Sequence, residues 1–169
     1  AFPKAIIHTD AAQSLGKVAV QPRQLGVDMA TIVGHKFGAP KGCAALYISK
    51  DIGDVEPFIF GGGQEKGRRA GTENVMLSVA LGAAALVAEE ELAATAAHMR
   101  CCRDRLLKGI TEGLRAEGLD TDEVLKVNGP QDVERRLPNT LSISVRGLRA
   151  SRVVAELGDR LAFSAGSAC

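Results

Sequence analysis

The chain has 169 residues, with 21 Lys and Arg against 20 Asp and Glu, and a formal net charge of +1. This length fits one ordinary domain. The balanced charge argues against binding to nucleic acid or to an anionic membrane surface, because proteins that bind either usually carry an excess of basic residues. Hydrophobic residues make up 46% of the chain and charged residues 24%, which excludes a wholly disordered protein.

No run of 18 apolar residues and no signal peptide is visible, so we expect neither a membrane span nor a membrane partner. The cysteines form no CxxC pair and no histidine lies at metal-ligand spacing from them, so we expect no metal site. This cysteine content fits reduced thiols and a cytoplasmic location, although a location inside an organelle stays an alternative. The four are Cys43, Cys101, Cys102 and Cys169.

The first third of the chain alternates short apolar runs with Gly-rich turns. We predict strands over residues 5–9, 29–33 and 44–48, and a short helix or turn over 22–27. Continuously apolar strands of this length are typical of a buried, largely parallel sheet, which indicates an α/β fold. The polar residues that follow the first two strands would then lie at the carboxyl edge of the sheet, where open α/β sheets bind ligands.

The middle of the chain is a polar loop followed by a long helical pattern. Residues 61–74 lack hydrophobic periodicity, and a loop of that length is usually functional or disordered. Residues 75–115 have helical spacing, but one straight helix would be about 60 Å long, so we predict a break within 89–94.

The pattern changes after Gly118 to that of an α+β segment. We predict strands over 124–127, 141–145 and 161–164, and a helix over 150–157.

One set of polar residues could carry chemistry together. Lys36 follows His35 at a strand end, and partial desolvation would make it a candidate Schiff-base lysine. Asp10 could face the ring nitrogen of a cofactor aldehyde, and Gln13 could donate to its phenolic oxygen. Each also has a purely structural interpretation: Asp10 as a turn cap, His35 as a half-buried histidine, Lys36 as a solvated charge.

Five motifs in order give these residues a more specific meaning: HTDAAQSLGK, TIVGHKFGAPKGCAALYI, GGGQEKGRRAGTENV, RLPNTLSISV and SAGSAC. In this set the chain resembles the pyridoxal-phosphate-dependent cysteine desulfurases and selenocysteine lyases of the class V aminotransferase group. The chain opens on Ala1 rather than Met and closes at Cys169 directly after a Gly-Ser-Ala stretch. We therefore expect a middle-to-late segment of a longer polypeptide.

The resemblance implies a fold as well. Residues 1–88 would form part of the large cofactor-binding domain of a type I pyridoxal-phosphate transferase, with a mostly parallel sheet. Residues 89–169 would form a linker helix and part of a smaller α+β C-terminal domain.

The resemblance also implies roles for individual residues. Lys36 would bind pyridoxal 5'-phosphate covalently, Asp10 would pair with its ring nitrogen, and Gln13 would contact the ring hydroxyl. His35 would help to hold the phosphate and serve catalysis, and Thr72 would reach the phosphate of a partner subunit, which implies a homodimer. Cys169 would attack the substrate's sulfur and become a persulfide.

The implied activity is removal of selenium or sulfur from L-selenocysteine or L-cysteine, leaving L-alanine, with a possible acceptor protein for the chalcogen. Val33 stands where many desulfurases carry Ser, which favours selenocysteine lyase, whereas Ser167 is the usual desulfurase form. A desulfurase that supplies persulfide sulfur for iron-sulfur or thio-cofactor assembly is the alternative. Because other motifs of the family match nothing in this chain, a non-catalytic dimerisation or carrier-binding module also stays open. An aminotransferase is disfavoured, because it would have no use for Cys169.

Overall fold

The computed structural model describes residues 5–130 and 132–166. Residue contacts divide the chain into two compact units, Ala1–Met99 and Arg100–Cys169. The unit boundary falls inside a long helix, whereas the expected domain division between residues 88 and 89 stays a prediction.

The first unit is built on a three-stranded sheet in the order β1-β2-β3, with β1 over His8–Asp10, β2 over Met29–Val33 and β3 over Ala44–Ile48. Helix α1, Pro22–Leu25, lies between β1 and β2 in the chain. Strands β1 and β2 are parallel, as predicted, and β2 and β3 are antiparallel.

The prediction of a largely parallel, buried sheet is wrong for β3. The connection from β2 to β3 is residues 34–43, which is shorter than the dozen or more residues that a parallel crossover needs, so the chain must turn back. Burial follows position in the sheet. Ala30 on the central strand has no exposed surface, whereas Ala44 to Leu46 on β3 are exposed.

Helix α2, Val75–Glu90, begins at an Asn cap, because the Asn74 side chain accepts a hydrogen bond from the Leu77 N–H at 3.1 Å. Its apolar side packs on the connections that follow β1 and β2. A Cβ added to Gly34 would lie 2.8 Å from Leu81 Cδ1, and one added to Gly16 would lie 3.7 Å from Ala88 Cβ. The helix therefore supports the turns at the carboxyl edge of the sheet.

The predicted helix break is confirmed. Helix α2 ends at Glu90 and α3, Leu92–Ala116, begins two residues later. Glu91 between them has a ψ of 0°, outside the helical region, although its N–H still bonds to the Val87 carbonyl at 2.9 Å.

The second unit contains the remainder of α3, a short helix α4 over Thr121–Val124, a hairpin of β4 and β5, and helix α5 over Ala150–Leu157. Strands β4, Leu125–Val127, and β5, Ile143–Val145, are antiparallel. The predicted strand over 161–164 is absent from the described residues, because no neighbouring strand pairs with it, and Leu161 and Phe163 remain exposed.

Candidate functional site

Two parallel strands bring the candidate residues to one edge of the first unit. Asp10 is the last residue of β1 and pairs in register with Thr31 of β2. The Ala11 N–H extends the pairing by one bond, to the Thr31 carbonyl at 2.9 Å. Strand β2 runs on for two residues and enters a 3-10 turn over Gly34–Lys36. Asp10 and the turn of Lys36 therefore leave the same edge of adjacent parallel strands.

Asp10 has one carboxylate oxygen engaged and one open. Its Oδ1 accepts a hydrogen bond from the Ala12 N–H at 2.8 Å, which is the Asx turn of the structural interpretation. No described residue donates to Oδ2. The turn fixes the orientation of the carboxylate and leaves its second oxygen for a ligand, so the structural and the ligand-binding interpretation are compatible.

Gln13 lies in the turn that follows Asp10, with its side chain exposed and without a hydrogen bond among the described residues. Its backbone carbonyl accepts a hydrogen bond from Lys17 Nζ at 3.0 Å. Lys17 is only 7% exposed. Burial, and in second place the charge of Lys36, hold the pKa of the Lys17 ammonium below its ordinary 10.5.

The segment that carries His35 and Lys36 is a closed backbone loop. The Gly34 N–H bonds to the Cys43 carbonyl at 3.2 Å, and the Gly34 carbonyl accepts from the N–H groups of Phe37 and Ala39, both at 3.1 Å. No side chain fits at Gly34, because an added Cβ would lie within 3.0 Å of three neighbouring side-chain atoms.

His35 and Lys36 both project to the surface of this loop. The described residues therefore do not supply the expected partial desolvation of Lys36, because the loop presents the side chain outward and none of them covers it. Its amine has no hydrogen-bond partner among the described residues and is open to a ligand.

Sequence reasoning missed two features of this edge. His8 Nε2 lies 2.8 Å from Thr31 Oγ1, across the paired strands. The two-residue period of a strand, which places His8 and Asp10 on one face, was a usable signal. The burial of Lys17 had no such signal, because lysine is almost always exposed.

Thr72 lies apart from these contacts. It is exposed, just after a loop in which the Ala70 N–H bonds to the Ile59 carbonyl at 3.1 Å and the Gly71 N–H to Gln64 Oε1 at 3.3 Å. No hydrogen bond joins Thr72 to Asp10, Gln13, His35 or Lys36, so its expected role toward a partner subunit stays a prediction.

Cys169 lies outside the described residues. Cys43 is half-buried, Cys101 and Cys102 are exposed, and none of the three forms a disulfide within the described part of the chain. Residues 5–130 and 132–166 contain no cluster of three or more His, Cys, Asp or Glu side chains able to hold a metal ion. In the same residues no helix is long and apolar enough to cross a membrane.

Comparison with known proteins decides the family. A family profile described as aminotransferase class-V matches residues 2–169. The chain belongs to the class-V aminotransferase family. Among its curated relatives are the selenocysteine lyase of Bos taurus, 44% identical over 99% of this chain, and the cysteine desulfurase IscS of Clostridium botulinum strain Hall, 37% identical over 96%.

The solved structures agree with the class-V assignment. A NifS-like protein superposes on 92% of this chain with a TM-score of 0.76 at 36% identity, which confirms the predicted α/β fold. The chain spans 37% of the bovine protein and 39% of the clostridial and NifS-like proteins. It therefore holds part of the class-V fold.

Proposed function

We propose that the protein to which this chain belongs is a pyridoxal-phosphate-dependent enzyme that removes selenium or sulfur from L-selenocysteine or L-cysteine and leaves L-alanine. The observation that carries this proposal is the pairing of β1 with β2, which brings an oriented carboxylate and an open amine to one sheet edge. The class-V membership supports it.

The residues at this edge fit the cofactor. Pyridoxal 5'-phosphate offers an aldehyde, a ring nitrogen, a ring hydroxyl and a phosphate, and these need an amine, a carboxylate, an amide and an anion-binding group. Lys36 supplies an exposed amine, Asp10 an oxygen without a protein donor, and Gln13 an exposed amide. His35, adjacent to Lys36, is the group that we assign to the phosphate.

When bound, the cofactor would supply an electron sink for the bonds at the substrate's α-carbon. Asp10 would hold a proton on the ring nitrogen through Oδ2, while the Ala12 N–H keeps the carboxylate in place. Lys36 would hold the aldehyde carbon and, once displaced by the substrate amine, accept the α-proton at Nζ. Positioned acid–base groups of this kind typically contribute about 10²–10⁴-fold to the rate.

We assign the chalcogen step to Cys169. Its thiolate would attack the substrate's sulfur or selenium, so that a bond from the Cys169 sulfur to that atom forms as the bond between that atom and carbon breaks. The electron pair of the broken bond stays with carbon, which takes up a proton to give alanine. Cys169 is left as a persulfide, or as its selenium counterpart, for an acceptor protein.

Between the two substrates we favour L-selenocysteine. Identity to the bovine selenocysteine lyase is 44%, against 37% to the clostridial desulfurase, and Val33 lacks the hydroxyl that a desulfurase-type Ser would offer to the phosphate. Cysteine desulfuration is the second candidate, and the desulfurase-type Ser167 supports it. For either substrate we propose a cytoplasmic location, supported by Cys43 and Cys101, which form no disulfide within the described residues.

We further propose a homodimer in which Thr72 reaches the partner's cofactor phosphate. The surface next to Thr72 supports this. Phe58 is 94% exposed and Phe60 80% exposed, and they flank Ile59, whose backbone pairs with Arg69. Large apolar side chains that stay exposed side by side are typical of protein–protein interfaces.

The test is the near-visible absorbance of the full chain titrated with pyridoxal phosphate, compared with Lys36→Ala and Lys41→Ala. Lys41 is the matched control because it is an exposed lysine of the same closed loop. We expect an absorbance band in the parent and in Lys41→Ala that Lys36→Ala lacks. A band that survives Lys36→Ala would contradict the assignment of Lys36.

The substrate is tested by the alanine formed from L-selenocysteine and from L-cysteine under equal conditions. We expect alanine from both, with the larger kcat/KM for L-selenocysteine. A larger value for L-cysteine would favour the desulfurase. If Cys169→Ala released selenide or sulfide at the parent rate, the persulfide step would be wrong.

A further inference from the structure

Lys17 is a buried lysine that the proposed reaction does not use. Lys17 is 7% exposed. Among the described residues its ammonium donates one hydrogen bond, to the Gln13 carbonyl at 3.0 Å. A lysine in such a place is unusual, because burial without an opposite charge costs free energy. No carboxylate pairs with it among the described residues.

The position of Lys17 follows from the turn after β1. The Lys17 N–H bonds to the Ser14 carbonyl at 3.0 Å, and the Ser14 N–H bonds to the Ala11 carbonyl at 3.0 Å, so residues 11–18 form consecutive tight turns. Gly16, at a φ of +75°, lies against Phe37. A Cβ added at Gly16 would be 2.8 Å from the Cβ of Phe37. Since Phe37 directly follows Lys36, the turn of Lys17 packs against the loop of Lys36.

The charge of Lys36 also acts on Lys17. It lowers the pKa of the Lys17 ammonium, in second place after burial. Lys17 thus joins two groups of the proposed site, Gln13 by a hydrogen bond and Lys36 by charge.

We propose that Lys17 is a positioning residue of the cofactor site, which fixes the turn bearing Gln13 through its buried hydrogen bond and stands as a second positive charge beside Lys36. This inference rests on the proposed function. Lys17 acts through Gln13 and Lys36 and does not itself touch the ring. The amide of Gln13 would meet the ring hydroxyl without a further reordering of its backbone.

The first test needs no cofactor. The pKa of Lys17 is measured by NMR on the side-chain nuclei in the full chain and in Lys36→Met. We expect a value below 10.5 in the parent and a higher value in Lys36→Met, because the repulsion is removed while the burial stays. Lys50→Met, which removes an exposed lysine, is the control and should leave Lys17 unchanged. An equal pKa in the parent and in Lys36→Met would overturn the electrostatic part of the proposal.

The second test is a double-mutant cycle on the dissociation constant for pyridoxal phosphate, with Lys17→Met and Gln13→Ala. We expect Lys17→Met to weaken binding roughly tenfold in the parent and about threefold or less in Gln13→Ala, because residues that act through one another are not additive. Amide hydrogen exchange in β2 checks that each variant is folded.

If Lys17→Met weakened pyridoxal phosphate binding by the same factor in the parent and in Gln13→Ala, the positioning role would be overturned while the proposed function stands. If the complete protein to which this chain belongs does not bind pyridoxal phosphate, the proposed function and the role of Lys17 fail together. The two failures are therefore distinguishable.

Discussion

Asp10 shows how one side chain serves the fold and the site together. A short polar side chain at the end of a strand turns the backbone by accepting the N–H two residues on, here that of Ala12 at 2.8 Å. That bond uses one of two carboxylate oxygens. The charge and the second oxygen remain for a ligand that approaches the edge of the sheet.

This division of roles predicts different outcomes for two substitutions of Asp10. Asp10→Asn keeps an oxygen for the Ala12 N–H, so the free energy of unfolding should stay close to that of the parent. Asp10→Ala loses the hydrogen bond from the Ala12 N–H and should lower the free energy of unfolding by about 1 kcal/mol. Both should abolish most alanine formation, because neither holds a charge at the ring nitrogen. Urea unfolding beside the alanine assay measures this. If Asp10→Asn kept full activity, the ring-nitrogen role would be wrong.

Lys17 gives the stability of the chain a defined pH dependence. Its pKa is lower folded than unfolded, where the ordinary value is 10.5, so the unfolded state binds more protons between those two values. The penalty of the buried charge is therefore full below the folded pKa, shrinks as the pH rises from the folded pKa to 10.5, and is gone above 10.5.

The measurement is the free energy of unfolding of the parent minus that of Lys17→Met, taken from neutral pH up to 10.5. Other titrating groups are common to both chains and cancel. We expect this difference to increase in favour of the parent as the pH rises. A flat or falling difference would contradict the lowered pKa.

The site residues differed in how well the sequence predicted them. Asp10 and Lys36 follow apolar runs directly, so their place at a strand end was readable, and the structure brings both to one edge. Lys17 could not be predicted, because its burial depends on the packing of its turn against Phe37, a contact between segments that are distant in sequence. The structure gives the positions of Asp10 and Lys36, whereas the roles of all the site residues stay predictions: Asp10, Gln13, His35, Lys36, Thr72 and Cys169.

At the scale of elements, helix α2 supports the sheet edge that carries Asp10 and the loop of Lys36. Leu81 lies against the position of Gly34, and Leu77 against that of Gly42, so one side of the helix lies under the loop that carries Lys36. Interiors packed this closely do not accept an added methyl group without movement.

Two glycine-to-alanine substitutions should therefore have opposite effects. Gly34→Ala places a Cβ 2.8 Å from Leu81 Cδ1 and 2.9 Å from Ala39 Cβ, and we expect it to lower the free energy of unfolding by about 1–3 kcal/mol. Gly82→Ala, inside α2, should raise it by about 0.5–1 kcal/mol, because beyond the backbone of its own helix and its chain neighbours no atom lies within 4 Å of the added Cβ. Thermal and urea unfolding of both variants test the pair. Equal effects of the two would contradict the close packing at Gly34.

Elements were predictable where local pattern decides them. The apolar runs located β2 and β3, and the excessive length of the helical pattern located the break at Glu91. The direction of β3 was misjudged from composition, although the short connection over 34–43 excludes a parallel crossover. The prediction of a strand over 161–164 was wrong because a strand needs a neighbouring strand to pair with, and the local sequence pattern carries no information about that neighbour.

At the scale of the whole molecule, the described residues bury little apolar surface. The buried apolar residues are Ala11, Ala30, Ala39 and Ala70, whereas large side chains such as Phe58, Phe60 and Met76 are more than three-quarters exposed. Exposed apolar surface of this extent is typical of contact with another protein surface. For the surface beside Thr72 we have proposed that a second copy of the chain makes this contact.

The proposed dimer predicts that Phe60→Ser weakens self-association, by roughly tenfold or more, because large aromatic side chains dominate interface energies. Leu148→Ser is a matched control, since Leu148 is 60% exposed and belongs to the second unit. Sedimentation equilibrium of the full chain gives both dissociation constants. A monomeric parent, or equal weakening by both substitutions, would contradict this dimer.

The backbone bonds that close residues 34–43 have a consequence for the speed of ligand capture. Gly34 is tied to Cys43 at one end, and its carbonyl holds Phe37 and Ala39, so the path of the chain on both sides of Lys36 is set before any ligand arrives. A ligand that bonds to Lys36 would then restrict only the torsions of one side chain, about 2 kcal/mol of conformational entropy, rather than those of a mobile backbone segment. Binding should consequently show no slow phase that arises from ordering of this loop.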